Sequence, residues 1–252
     1  MKCQHPIVLC VLGALLLAPH SGECSSRVEG IARALPEGNP IYSETHEFDG
    51  NAHRIEYRDT GGVLIAEKQL DYACSDSAPD WQQHDLRSGA RVGGRWSDAG
   101  YVLQRDDRSS TITPEGTLVA SSGFDHFVRQ HWEELRTGNT VSFEFAVPAR
   151  LTTIGMRIQK TRGLPGEREI SEWFRAEPSS GLFRLFAGSI LLGYDKEGTL
   201  QFYRGPSNIG DGKGRGLEVE IRYRRLDTGQ QREPALAGDR NDPQLQCPRR
   251  DA

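Results

Sequence analysis

IYSETHEFDGNAHRIEYRDTGGVLIAEKQLDYA, residues 41–73, is the stretch that decides the fold class. Its first eight residues alternate, and side chains two apart in a strand share one face. The DGNA that follows (49–52) supplies turn residues, and HRIEYR then places Ile55 and Tyr57 together on one side. DTGG turns the chain again at 59–62. The third run, VLIAEKQLDYA, passes for a helix by composition. Its β-branched start and the tight turn before it favour a strand instead. Three strands joined by Asp-Gly and Gly-Gly turns read as an antiparallel meander.

The same grammar extends outward. Upstream, residues 25–39 read as a short leader into a domain that begins at residue 40. Downstream, 75–110 contains short strands around Gly-rich turns. Alternation is strong again in TVSFEFAVP, where Val141, Phe143 and Phe145 oppose Ser142 and Glu144, and in LTTIGMRIQK. REISEWFRAEP, SILLGYD, TLQFYRG and LEVEIRYRR continue it, each bounded by Gly, Pro or Asp. The expected architecture is mainly β (α+β): a curved antiparallel sheet, half-barrel or barrel-like, of about ten strands with one main helix at 123–137. A sheet of that size must curl, close or split. The single β-rich domain is expected over 40–226. Residues 227–252 are polar and Pro-rich and are expected to be a disordered tail.

The first residues point to a compartment. Lys2 opens a positive segment, Ile7–Ala18 is an unbroken apolar run, and small and polar residues follow. A run this short does not span about 30 Å of hydrocarbon, so 1–24 reads as a secretory signal. A cut after Cys24 leaves small residues at the two recognition positions. Lipidation of Cys24 is the alternative, and Glu23 together with the missing upstream Leu speaks against it. Cys74 and Cys247 then remain, an even number that permits one disulfide in an oxidising compartment. The 252-residue chain carries a net charge of −4 with no basic stripe, which argues against a nucleic-acid partner. Past the signal no apolar run reaches membrane length, because Arg184 interrupts the longest one.

The densest chemistry lies in GFDHFVRQHWEELRTGN, residues 123–139. Ser122 and Asp125 form an S-x-x-D capping box and Gly138 is a C-terminal stop. Asp125 with Arg129, and Arg129 with Glu133, are i,i+4 pairs. At 100° per residue Phe124, Phe127, Val128, Trp132 and Leu135 share an arc that also contains His131. His126, Arg129, Glu133 and Arg136 fall on the opposite, solvated side. His126 and His131 face apart and cannot share a metal, and H-E-x-x-H does not occur, so no metal or cofactor is expected. His131 is the one catalytic candidate, because burial beside aromatic surface shifts an imidazole's pKa. GDGKGRG at 210–216 lacks both phosphate-loop spacing and a following helix, and reads as a hairpin loop. Paired acids such as Asp106–Asp107 and Glu133–Glu134 leave glycosidase-type chemistry open without selecting a pair.

Three stretches carry a resemblance: residues 118–151 (LVASSGFDHFVRQHWEELRTGNTVSFEFAVPARL), LDYACSDSAPDW at 70–81 and YRGPSNIGDGKG at 203–214. Over roughly residues 40–225 the chain resembles a group of exported bacterial proteins of unassigned function. That resemblance implies a cell-envelope setting and assigns no catalytic residue. The architecture is similar to that of the half-barrel carriers of periplasmic lipoproteins and lipids. The leading expectation is therefore a non-enzymatic periplasmic domain enclosing an apolar ligand, lipid or lipoprotein, among Phe127, His131, Trp132, Phe143, Phe145 and Trp173. The alternatives are an envelope hydrolase using His131 or a carboxylate pair, and a scaffold that pairs with another envelope protein through a sheet edge.

Overall fold

The computed structural model describes residues 26–180, 188–213, 215–226 and Cys247. The expected signal at 1–24 lies outside them, as does the expected tail apart from Cys247. Among the described residues fifteen strands form one open sheet, against the ten expected. The first eight are β1 (Ser26–Ala34), β2 (Pro40–Asp49), β3 (Ala52–Asp59), β4 (Leu64–Asp71), β5 (Asp80–Asp85), β6 (Arg91–Ser97), β7 (Gly100–Arg105) and β8 (Arg108–Ile112). The two-residue β9 (Leu118–Val119) precedes the helical segment. After it come β10 (Val141–Val147), β11 (Thr152–Lys160), β12 (Glu172–Pro178), β13 (Ile190–Tyr194), β14 (Leu200–Pro206) and β15 (Glu218–Leu226).

The sheet order is β8 down to β1, then β15 down to β9, and every pairing is antiparallel except β9 with β10. Two meanders are thus joined through β1 and β15. The described part of the expected leader, 26–39, is consequently no leader: β1 lies mid-sheet, with Gly30 opposite both Glu44 of β2 and Tyr223 of β15. The 41–73 reading is realised strand for strand. Asp49 pairs with Ala52 across a two-residue turn in which Gly50 takes φ +54°, the left-handed conformation such hairpins need. At the next turn the Asp59 carboxylate accepts the backbone N–H groups of Gly61 and Val63 at 2.9 Å each.

The sheet curves until its two ends approach without sharing a ladder. β8 comes near β11, and the 3₁₀ turn at Pro148–Arg150 meets β6 and β7. Arg105 Nη1 donates to the Ala149 carbonyl at 2.7 Å across this seam. Beneath it Ala78, Tyr101, Leu103, Leu118, Ala120 and Ala146 pack as one cluster. Side chains, rather than a continuous ladder, close the seam.

The helix expected at 123–137 is two helices, α1 (Gly123–Gln130) and α2 (Trp132–Arg136), separated at His131 with φ −102° and ψ 20°. The break turns Trp132 into an edge-on seat against Phe174 and Tyr194, with ring centroids 5.5 and 5.4 Å away. The capping box is not made, because Ser122 forms no side-chain cap and the Asp125 carboxylate binds Arg129 at 2.6 Å and Tyr194 Oη at 3.0 Å. Gly138 ends the segment at φ +92°, as expected. Both helices lie on the inner face of β10–β13. There Phe124, Phe127, Val128 and Leu135 join Val141, Phe143, Met156, Ile158, Phe174 and Leu192 in the largest core cluster. Each fully buried Phe or Leu in it contributes about 1.5–3 kcal/mol. No helix among the described residues is long and apolar enough to cross a membrane.

Candidate functional site

The residues expected to enclose a ligand do not converge. Phe127 and Phe143 are packed against each other at 4.8 Å and against Phe124, with Phe145 at their edge. Trp132 closes the same cluster. Trp173 is on the other face of the sheet, packed with Leu191, Phe202, Leu164 and Ile170. It is Phe174, its neighbour, that faces the helices, because adjacent strand residues alternate. The helix therefore fills the concavity of β10–β13.

His131 is a rim residue rather than an inner one. Its side chain is 31% exposed, its ring lies 4.7 Å from that of Phe127, and Nδ1 is 3.1 Å from Glu134 Oε2. The break in the helix rotates it off the buried arc. Among the described residues no hydroxyl or thiol hydrogen-bonds its ring. His126, expected on the solvated face, is covered by Tyr72 at a ring distance of 4.5 Å. Burial is the main cause of its lowered pKa, followed by the charge of Arg129. Glu133 and Glu134 engage Arg136 and His131 separately, so they do not act as a carboxylate pair. Cys74 and Cys247 are joined by a disulfide, with their Cα atoms 5.4 Å apart.

The chemistry gathers elsewhere, on the inner face of β1–β5. Period-two geometry turns Tyr42, Glu44 and His46 inward from β2, His53 and Tyr57 from β3, and Lys68 from β4. Glu44 Oε1 accepts from Tyr223 Oη at 2.7 Å and lies 3.1 Å from His46 Nε2. Gly30 makes this meeting feasible, since a Cβ there would lie 2.8 Å from Tyr223 Cε1 and 3.0 Å from Glu44 Cγ. His46 Nδ1 is 2.9 Å from His53 Nε2, and His53 Nδ1 is 3.2 Å from Tyr72 Oη. A continuous hydrogen-bonded chain thus runs from Tyr223 to Tyr72.

Its proton logic is constrained. Burial pushes the Glu44 carboxyl up, but the hydrogen bonds from His46 and Tyr223 and the charges of His46 and Lys68 more than offset it. The net pKa lies below the ordinary carboxylate value, and Glu44 is ionised. Burial, with the nearby charges of His46, Lys68 and His126, holds His53 well below the usual histidine value and therefore neutral. With His46 neutral, His53 Nε2–H donates to it and Tyr72 donates to His53. With His46 protonated on both nitrogens the order reverses, and His53 donates to Tyr72. The two bonds at His53 thus reverse together, while Tyr223 and His46 donate to Glu44 in both arrangements.

Lys68 stands apart from this chain. It is 1% exposed, and its ammonium lies 5.9 Å from the Tyr57 ring centroid and 5.4 Å from the Trp81 ring. Those rings are its diagonal neighbours on β3 and β5. Among the described residues no carboxylate is within ion-pair distance of it. Burial lowers its pKa to about 8, against a smaller opposing influence from Glu44. Glu44 Oε2 is likewise buried and has no hydrogen-bond partner. The inner wall thus holds a buried cation over the Tyr57 and Trp81 rings and three buried polar atoms without a hydrogen-bond partner, Glu44 Oε2, Tyr57 Oη and Trp81 Nε1. At one end it is closed by Ile209 and by the bond from Gln83 Nε2 to the Asn208 carbonyl at 2.8 Å.

The reverse face of β3–β7 carries an open groove of about 740 Å³ whose floor includes Arg54, Gln69, Gln82, Gly93 and Gln104, one register row across five strands. Its side chains pair among themselves, Arg54 with Glu56 at 2.9 Å and Gln82 with Gln69 at 3.3 Å, in contact with solvent. The unpartnered atoms of Glu44, Tyr57 and Trp81 are on the inner face.

Sequence reasoning passed over Glu44, His46, His53 and Lys68. The signal was present, since Glu44 and His46 share the parity of Tyr42 and Phe48, and Lys68 sits between Ala66 and Leu70 on the inward face.

No family model matches the chain, and no curated protein matches it. Among solved structures it is similar to the crystal structure of a beta-barrel-like protein of domain of unknown function DUF1849 from Brucella abortus. The match has 8% sequence identity and a TM-score of 0.48, and covers 82% of this chain and 99% of that one. The inner polar wall is therefore read from its own geometry.

Proposed function

We propose that this chain is an exported, non-enzymatic binding protein of the bacterial cell envelope, and that its ligand sits on the inner polar wall formed by β2–β5. The observation that carries the reading is the set of buried atoms without a hydrogen-bond partner on one wall, Glu44 Oε2, Tyr57 Oη and Trp81 Nε1, beside the buried ammonium of Lys68. Buried polar groups are almost always satisfied, and a buried charge is costly unless it is paired. A buried ammonium beside several unpartnered polar atoms on one wall favours a polar group of a ligand at that place. The aromatic residues first expected to hold a ligand are engaged with one another instead, so the reading moves the ligand to the other half of the sheet. The hydrolase alternative has less support, because His131 is a rim residue whose partners are Glu134 and Phe127. Export is supported by the signal-like first 24 residues and by the Cys74–Cys247 bridge, which suits an oxidising compartment.

The test is to isolate the mature protein from a bacterial envelope without denaturation and to weigh it by native mass spectrometry. A retained small molecule, released on unfolding, is the expected result. A mass equal to the polypeptide alone, with only water beside Lys68 in a high-resolution map, would end the binding reading.

A further inference from the structure

The groove on the reverse face of β3–β7 is a formed cavity of about 740 Å³, and its floor sets what it can hold. Two of its side chains stand outside the Arg54 and Gln82 pairings. Arg91 and Arg95 line it from β6, and among the described residues no hydrogen bond or ion pair engages either guanidinium. Gly93 lies between them on the same face, by the two-residue period of a strand. A Cβ at Gly93 would lie 2.6 Å from the Trp81 carbonyl oxygen, so the position stays bare and a gap separates the two cations. Opposite Gly93 stand Gln82 on β5 and Gln104 on β7. Gln82 is tied to Gln69 by one long bond of 3.3 Å, so spare amide donors and acceptors remain on the floor. The acids of the groove are engaged: Glu67 with Arg54 at 3.5 Å, and Asp71 and Asp80 with the backbone N–H groups of Ala73 and Trp96. Arg95 acts on Asp80 through its charge alone, without ion-pair contact. The uncommitted charge on the floor is therefore positive.

A guanidinium takes a carboxylate through two parallel bonds, and four residues of extended strand separate Arg91 from Arg95 by roughly 13 Å. One small acid does not cover that span, whereas an oligomer with carboxylates on successive units does. An acidic peptide would draw on free backbone groups at a sheet edge. Each of β3–β7 is paired on both sides, so the groove offers a peptide none. Sugar hydroxyls suit the glutamine amides, because each hydroxyl both donates and accepts. We propose that the groove is a second binding site, for a short acidic oligosaccharide whose carboxylates are taken by Arg91 and Arg95 and whose hydroxyls meet Gln82 and Gln104 across the gap at Gly93. It lies on the opposite face of the sheet from the inner polar wall and is independent of it.

The experiment uses the full mature chain with its disulfide intact and four probes titrated by calorimetry at pH 7 in low salt: tetragalacturonate, galacturonate, maltotetraose and tetraglutamate. Tetragalacturonate is expected to bind saturably, with the monomer, the neutral sugar and the acidic peptide each at least tenfold weaker. Arg91→Gln and Arg95→Gln are each expected to weaken tetragalacturonate at least fivefold. Lys196→Gln removes an exposed cation on the β13–β14 turn, outside the groove, and is expected to leave binding unchanged. Thermal melts establish that all three variants are folded. No binding of tetragalacturonate, equal binding of galacturonate, maltotetraose or tetraglutamate, undiminished binding to the folded arginine variants, or equal weakening by Lys196→Gln each overturns the assignment. None of these outcomes bears on the inner wall, so the two readings fail independently.

Discussion

Lys68→Met, examined without ligand, tests the physical premise of the site. The folded lysine has its pKa lowered from 10.5 to about 8, chiefly by burial. Each pKa unit corresponds to about 1.4 kcal/mol, so holding the ammonium inside costs the folded protein about 3 kcal/mol at pH 7. The sign follows from linkage. Between pH 8 and 10.5 the unfolded chain keeps a proton that the folded chain gives up, so folding becomes more favourable as pH rises through that window. Below pH 8 the penalty is complete, and above 10.5 it is gone. Methionine carries no charge and has nearly the same reach, so the variant is expected to be more stable than wild type by about 3 kcal/mol at pH 7, a figure that already includes the attraction to Glu44. The assay is urea unfolding of both proteins from pH 7 to 10. The difference should be constant up to about pH 8 and shrink above it, which isolates Lys68 from the other groups that titrate there. A variant that is less stable at pH 7, or a difference that does not change with pH, refutes the argument: Lys68 would then be satisfied in the folded protein.

Three further predictions rest on neighbouring features. His53 is held neutral, so the unfolded chain takes up a proton that the folded one refuses as pH falls below about 6.5, and this residue's contribution to stability declines by about 1.4 kcal/mol per pH unit. His53→Gln should flatten the acid limb of a urea-midpoint series, and an unchanged slope counts against a neutral His53. Gly30→Ala places a Cβ 2.8 Å from Tyr223 Cε1 and 2.9 Å from Ile221 Cγ2, and should cost about 1–3 kcal/mol in chemical denaturation. Full stability there would mean that β1 is not seated between β2 and β15. Cys74 and Cys247 are 173 residues apart, so reduction or Cys74→Ser should lower stability by up to about 5 kcal/mol in the chain-entropy account, read as a drop in the urea midpoint with dithiothreitol. An unmoved midpoint refutes a stabilising bridge.

The meander at 41–73 was legible because its turns carry the residues that tight hairpins need and its strands alternate. β1 was not, and the reason is physical. Its inward residues include Gly30, kept small by Tyr223 and Glu44, and Ala32, while Arg27, Glu29 and Arg33 take the other parity and the apolar Ile31 sits among them, so the alternation of SRVEGIARA is weak. The strand is hidden by the side chains it makes room for. Helix propensity located a helix at 123–137 but carries no information about the seat of Trp132 between Phe174 and Tyr194, which accompanies the break at His131. Trp173 and Phe174 are adjacent aromatic residues, and alternation says they part without saying which one goes inward. The inner polar wall went unread for a related reason. A Glu, a His and a Lys on an amphipathic strand default to the wet face, and only the parity shared with Tyr42 and Leu70 contradicts that default.

The pairing of β1 with β15 joins the first described strand to the last, Arg27 opposite Leu226. Each meander can assemble from local hairpins, but this central ladder closes only after nearly the whole domain is available, and such late, distant contacts slow folding. A chain emerging from a ribosome holds β1 as a bare edge until residue 226 appears, and bare edges invite the wrong partner. For a polypeptide proposed to be threaded unfolded across a membrane, that delay becomes an asset: the strand that emerges first cannot lock until the strand that emerges last has arrived.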